Sequence, residues 1–532
     1  VLFNSVTFLF GFLPVALGGY FAVTRLGPAQ AAGWLVGASL VFYGWFEPAF
    51  VPLLVASMAG NYAIGRLLQA TRDRPALQGW VLRAGVAANI AALVYYKYLA
   101  WLIGLAGASG LFNVQTPSIV LPIGISFFTF TQLGYLMDMH AGSAEDRGPL
   151  AYAVFVTFFP HLIAGPILHH RDIMPQFAEP AAARVSPMNL ALGLSLFLIG
   201  LLKKTLLADT TAAGVAEAFD APEALTLFEA WRAVLRYSLQ LYFDFSGYSD
   251  MAIGLARMFN VRFPLNFNSP YKARSVIDYW QRWHMTLTRF LTQYVYSPLL
   301  LAVMRWRSAR GLGVNRAAQI RPGGFATMVA LPVFATIGLA GLWHGSGAQF
   351  LVFGLLHAAC LTVNRAWRLW RGRRPEPGMA GIVWRVGLTY LCVLVGAVFF
   401  RSPSVAAALS MLAGMTGLHG VGPAVLVLGS MSAYLPAWLF SYGVVATADH
   451  HSVIQALRGL LRMTVLYGIV WGLPNTQQIF VRFAPALDEV EAASPAWLRW
   501  RPNLPWALAF GCLATLALLS LGGTGEFLYF QF

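Results

Sequence analysis

Trp343-His344-Gly345 lies within residues 331–353, one of the most apolar stretches of the chain. A titratable group in such a place is a functional-site candidate, because burying it in apolar surroundings is costly. An apolar setting leaves the imidazole neutral, and a neutral imidazole can take a proton from a reacting hydroxyl. His344 is therefore read as a general base. His357 follows beyond the break Gly345-Ser346-Gly347, so the two rings are not neighbours on one regular helix. A packing role and a site role both stay open for His357.

Two further constellations could do chemistry. Tyr242-Phe243-Asp244-Phe245-Ser246-Gly247-Tyr248-Ser249-Asp250 gathers carboxylates, hydroxyls and phenols that have no place on a lipid-facing surface. On a helix Ser246 and Asp250 lie one turn apart, so a polar face must look into a bundle. Asp244 and Ser246 are candidate substrate contacts, with a hydrogen-bond network that fixes helix packing as the alternative. Residues 275–290 mix Trp, Arg, His and hydroxyls as an amphipathic interfacial helix would. There Asp278 and Arg282 are spaced to pair, and His284 shares a face with Trp280 and Thr288. Asp278, Arg282 and Trp283, with Trp343 beside His344, join the candidate substrate contacts, and His284 is a candidate second catalytic residue.

Other chemistries find little in the sequence. Neither HExxH nor an Asp/Glu cluster at ligand spacing accompanies these histidines, and Cys360, Cys392 and Cys512 form no CxxC, so no metal site is expected. No GxSxG elbow marks a hydrolase. Intramembrane Asp, His and Lys residues also build proton relays, so residue chemistry alone leaves an enzyme and a proton-coupled transporter or flippase about equally open.

The elements that must position these groups are membrane helices. Of 532 residues, 58% are hydrophobic and only 11% charged, which excludes an ordinary soluble globule. Apolar runs of about 20 residues recur along the chain and predict an all-α polytopic membrane protein. The expectation is one membrane-embedded domain over residues 1–532, with roughly 11–14 transmembrane and re-entrant segments. Candidate spans include residues 6–24, read as a retained first helix, and residues 149–167, 228–257 and 422–446. Residues 158–166 carry two prolines and a glycine, which break a straight span and imply either backbone near a cavity or a kinked structural helix. Residues 525–532 read as an aromatic interfacial ending.

The net charge of +15 sits largely in short segments, which indicates topology and not a nucleic-acid partner. Candidate cytoplasmic basic loops are Arg72, Arg74 and Arg83; Lys203-Lys204; Lys272 and Arg274; Arg305, Arg307, Arg310, Arg316 and Arg321; Arg365, Arg368, Arg371, Arg373 and Arg374; and Arg458 with Arg462. Anionic membrane lipids would lie nearby.

At this point the order of motifs resembles the membrane-bound O-acyltransferase (MBOAT) family, in the bacterial polysaccharide branch typified by alginate O-acetylation. The likeness runs through residues 4–10, Tyr95-Tyr96-Lys97-Tyr98, residues 121–130, residues 158–166, and Lys203-Lys204 with Ala208-Asp209. It is most specific at residues 278–288 and at Trp343-His344-Gly345. It departs after Tyr296-Ser297-Pro298, where Leu299-Leu300-Leu301 follows.

The resemblance implies a ring of tilted helices around a central tunnel, with His344 as the catalytic residue and His284 as a second important one. It implies an acyl group, acetyl first, taken from a cytoplasmic thioester such as acetyl-CoA or an acyl carrier, with no tightly bound cofactor. The acceptor would be an exopolysaccharide hydroxyl or a periplasmic acetyltransferase partner. The implied location is the bacterial inner membrane, crossed many times.

Overall fold

Backbone inside a bilayer must satisfy its own hydrogen bonds, and the apolar runs of this chain do so as helices. The computed structural model describes residues 2–108, 117–372, 377–428, 434–441, 443–491, 494–521 and 527–528. Arg373, Arg374 and most of the expected aromatic ending lie outside the described residues. Seven described helices are long and apolar enough to cross a membrane: Pro48–Ala70, Pro75–Gly107, Pro187–Ala212, Pro322–His344, Ala348–Arg371, Met379–Arg401 and His450–Gly472. Shorter apolar helices, Thr7–Val23, Val405–Met415 and Leu504–Leu519, join them, as do Pro28–Gly44, Ile125–Ala141 and the long Leu227–Met258. The protein is an all-α multi-pass membrane protein.

The helices differ in what they face. Half of the apolar window of Pro187–Ala212 is buried in protein, against 11% for Pro75–Gly107 and His450–Gly472, so the first is an inner wall and the others turn largely outward. Leu227–Met258 begins at a capping box, in which Glu229 accepts from the Thr226 backbone N–H at 3.1 Å, and runs through the centre of the molecule.

It packs on Pro187–Leu202 along a seam of glycines. A Cβ on Gly193 would stand 2.6 Å from the Gly254 carbonyl oxygen, and one on Gly200 would stand 2.5 Å from that of Gly247. Only glycine permits this approach, the usual device of packed membrane helices. The seam brings Lys204 Nζ to 2.6 Å from Asp244 and 2.9 Å from Asp209, and Lys203 Nζ to 2.6 Å from Asp250. Lys203-Lys204 is therefore no cytoplasmic loop: it is a wide, π-helical turn inside a helix, with Lys204 buried. Arg458 and Arg462 also lie on a helix, His450–Gly472.

Other expectations need correction. Residues 422–446 do not form a span: Val425–Leu428 and Val445–Ala448 pair as two parallel strands. Gly422 (φ +66) and Gly443 (φ +69) turn the chain with left-handed backbone just before each strand. Residues 149–167 split into Pro149–Thr157 and Phe159–Leu162, with Phe158 extended between them (φ −48, ψ 109). Residues 275–290 are likewise not one interfacial helix but Val276–Trp280 and Met285–Leu291, broken at a left-handed His284.

That last break makes a hairpin, with an antiparallel bridge between Phe267 and Trp283. Its second limb continues through Thr292–Tyr296 and Ser297–Ser308, packing antiparallel on Ala326–Ala330 and Leu331–His344. Pro322–His344 and Ala348–Arg371 form a second hairpin, closed by Gly354, whose Cβ would stand 2.5 Å from the Ile337 carbonyl. Arg305, Arg307, Arg310, Arg316 and Arg321 gather at the open ends, where Arg316–Ile320 packs on Ala348–Arg371. The tips of both hairpins, His284 and His344, meet in the interior.

Two outcomes are expected. Gly247→Val should cost at least about 1–3 kcal/mol through overpacking, lowering the thermal midpoint in detergent, while Gly60→Ala, whose Cβ meets nothing within 4 Å, should not. Lys204→Met should cost about 3–5 kcal/mol by orphaning buried carboxylates, and adding Asp244→Leu should recover part of that loss.

Candidate active site

His344 ends the helix Leu331–His344, whose last carbonyls point at the protein interior. Exposed carbonyls at a helix end need donors, and the Pro75–Gly107 helix supplies them. Lys97 Nζ donates to the Trp343 oxygen at 2.6 Å and to the His344 oxygen at 3.2 Å, and Tyr98 Oη donates to the Leu342 oxygen at 2.6 Å. The π-helical turn Val94–Tyr98 carries both donors. A cation also suits the negative end of a helix dipole. His344 is thereby fixed in backbone position although it sits at a chain break.

Its ring forms part of two cavity walls. One cavity, about 30 Å³, is lined mostly by aromatic and aliphatic groups, among them Tyr279, Trp283, His284, Phe353, His357 and Phe400. The other, about 200 Å³, is lined by Lys97, residues 121–127, Ile163, Trp343 and His344. Gly124 (φ +73) stands in the second wall, where a Cβ would be 3.0 Å from the Leu162 carbonyl oxygen. The broken segment 158–166 thus reaches the cavity through Ile163, as backbone at membrane depth must either line a cavity or be covered by protein.

His284 and His344 face one another with ring centroids 6.4 Å apart. That is too long for a direct ring-to-ring hydrogen bond and leaves room for one bridging oxygen atom. His284 is fully buried, and its backbone is left-handed at φ 44, an unusual conformation for a residue with a side chain. The conformation is held by a short antiparallel clamp: Asn268 N–H donates to the Arg282 oxygen at 2.9 Å, and Met285 N–H to the Asn266 oxygen at 3.0 Å. His284 Nδ1 lies 2.9 Å from Asn266 Oδ1.

The remaining candidates divide. Trp283 joins the small cavity and Trp343 the larger one. Asp278 instead caps its own turn and pairs with Arg282 at 2.6 Å. Arg282 lines a separate cleft of about 470 Å³ with Lys272 and Trp497. Burial and the nearby Arg282 charge push the Lys272 ammonium below its usual range.

Asp244 and Ser246 line neither histidine cavity. Asp244 is occupied by Lys204 and by the Leu528 N–H at 3.1 Å, and Ser246 is buried in the helix seam. The packing network, the alternative open from the sequence, accounts for that motif. His357 proves to line the small cavity, where Trp280 Nε1 donates to its Nδ1 at 3.3 Å. No role for Lys97, Asn266 or Thr286 is legible in the sequence, because each acts through partners on other segments of the chain.

Comparison with known proteins bears on the family. Residues 140–312 match the family model described as MBOAT, membrane-bound O-acyltransferase family; the matched segment holds His284 and ends before His344. The chain is 37% identical over 452 residues to a peptidoglycan O-acetyltransferase of Helicobacter pylori, covering 79% of this chain and 81% of that one. It is 36% identical over 423 residues to a probable alginate O-acetylase AlgI of Pseudomonas aeruginosa, covering 78% and 75%. A teichoic acid D-alanyltransferase of Bacillus subtilis is 26% identical over 249 residues, 47% of this chain and 60% of that protein. Similarity at this identity and coverage, on a helical membrane architecture, establishes that the chain belongs to the membrane-bound O-acyltransferase family and is an acyltransferase.

Proposed function

We propose that this acyltransferase moves an acetyl group from a cytoplasmic thioester, acetyl-CoA or an acyl carrier, to a hydroxyl of an envelope polysaccharide or of a periplasmic partner that passes the group on. The observation that carries this reading is the place of one imidazole, His344, on the walls of two different cavities. The relatives named for peptidoglycan and alginate support a polysaccharide acceptor. The arginine-bearing ends of both hairpins fit the cytoplasmic side by the positive-inside rule, which suits a bacterial inner membrane. The basic residues there could attract the phosphates of a donor.

In the proposed chemistry His344 is the general base. The acceptor oxygen bonds to the thioester carbonyl carbon as its proton passes to His344. The C–S bond then breaks, and the proton goes to the departing thiolate, leaving an ester and a thiol. Holding donor and acceptor against the ring from two directions supplies proximity, and excluding water protects the thioester. The transporter alternative has no such use for family membership and is not retained.

The test uses purified protein in liposomes with labelled acetyl-CoA and candidate acceptor oligosaccharides. His344→Ala should fold normally and lose acceptor-dependent transfer by about 10²- to 10⁴-fold. Unchanged transfer in that variant would remove His344 from the chemistry.

A further inference from the structure

Ile167 N–H, just beyond the broken segment, donates to Thr286 Oγ1 at 3.0 Å, and Thr286 Oγ1 donates to Asn266 Oδ1 at 3.0 Å. Having accepted from a backbone N–H, the hydroxyl keeps its own hydrogen for the Asn266 carbonyl oxygen. At the other end of the amide, Asn266 Nδ2 donates to Ser249 Oγ at 3.1 Å. His284 Nδ1 meets this same Oδ1, which can only accept, so Nδ1 carries the ring hydrogen. Asn266 and Thr286 lie behind the ring and are not part of the cavity wall to which His284 belongs.

We propose that Asn266 is a positioning residue that holds His284 as the Nδ1–H tautomer, so that its Nε2 lone pair serves the transfer as an acceptor for the incoming hydroxyl and not as a donor to the thioester oxyanion. The tautomer stands on the geometry alone, whereas its use in transfer rests on the function proposed above. Both histidines then act on the hydroxyl side of the reaction. The single O–H hydrogen is held by His284 Nε2 as the acceptor docks and swings across to His344, which takes the proton as the C–O bond forms. Donors to the oxyanion must come from elsewhere.

Nitrogen-15 spectra of histidine-labelled protein in lipid bilayers test the tautomer, with the His284 signals assigned by their loss in His284→Gln. Wild type should show a protonated Nδ1 and a bare Nε2. Asn266→Leu and Thr286→Val should populate the other tautomer, and Thr286→Ser, which keeps the hydroxyl, should restore the wild-type spectrum. The backbone clamp at residues 266–268 does not use these side chains, and the thermal midpoint checks that the variants fold. In the liposome assay, kcat should fall roughly 10- to 100-fold in Asn266→Leu, as for other residues that orient a working histidine, with the donor KM little changed.

A protonated Nε2 in wild type would overturn the proposal, as would loss of activity in the variants with an unchanged tautomer. If wild type transfers no acyl group from any thioester, the role in transfer fails, and the spectra still decide the tautomer.

Discussion

Irregular backbone at the centre of an apolar bundle persists only where each freed N–H and C=O finds a partner in the protein. This constraint governs the interior of the molecule. Where the chain breaks at Phe158, the Phe159 N–H donates to Ser39 Oγ at 3.1 Å. Where residues 166–169 run outside helical structure, the Ile167 N–H finds Thr286. Where Leu331–His344 stops, Lys97 and Tyr98 take its carbonyls. Beyond Leu227–Met258, the Leu265 N–H donates to Asp488 Oδ2 at 2.6 Å. Each break is thus tied to a side chain from a distant part of the chain, and the ties of Lys97 and Tyr98 also hold the segment that ends at His344.

The same requirement explains the division among the polar residues. Those of Leu227–Met258 serve the helix seam: Asp244 and Asp250 answer the lysines brought across it by facing glycines, while Ser249 holds the Asn266 amide. Those of the two hairpin tips serve the cavities. A buried charge with a matched partner can fix which helices meet, and here it joins Pro187–Ala212 to Leu227–Met258.

Much of this was legible in the sequence where a single residue conflicted with its local surroundings. His344 in an apolar run was such a conflict, as were the prolines of residues 158–166, and both mark cavity walls. Long-range partnership was not legible. Lys203-Lys204 read as a loop because its carboxylates lie on another helix, with Lys204 and Asp244 separated by 40 positions. Lys97 and the Trp343 carbonyl are 246 positions apart. Residues 422–446 misled for a different reason: four apolar residues between glycines suit a strand as well as a helix, and hydropathy cannot tell them apart. His284 was placed on a regular helix because a left-handed histidine has no sequence signature comparable to glycine.

Two cavities that share one imidazole in their walls thin the packed interior between them. Around His344 the cavities differ sharply in size, and the narrower one, about 30 Å³, is walled largely by rings such as Tyr279, Trp283 and Phe400. Space beside His344 on that side is therefore set by how closely those rings pack, and a smaller ring among them would widen the narrower chamber.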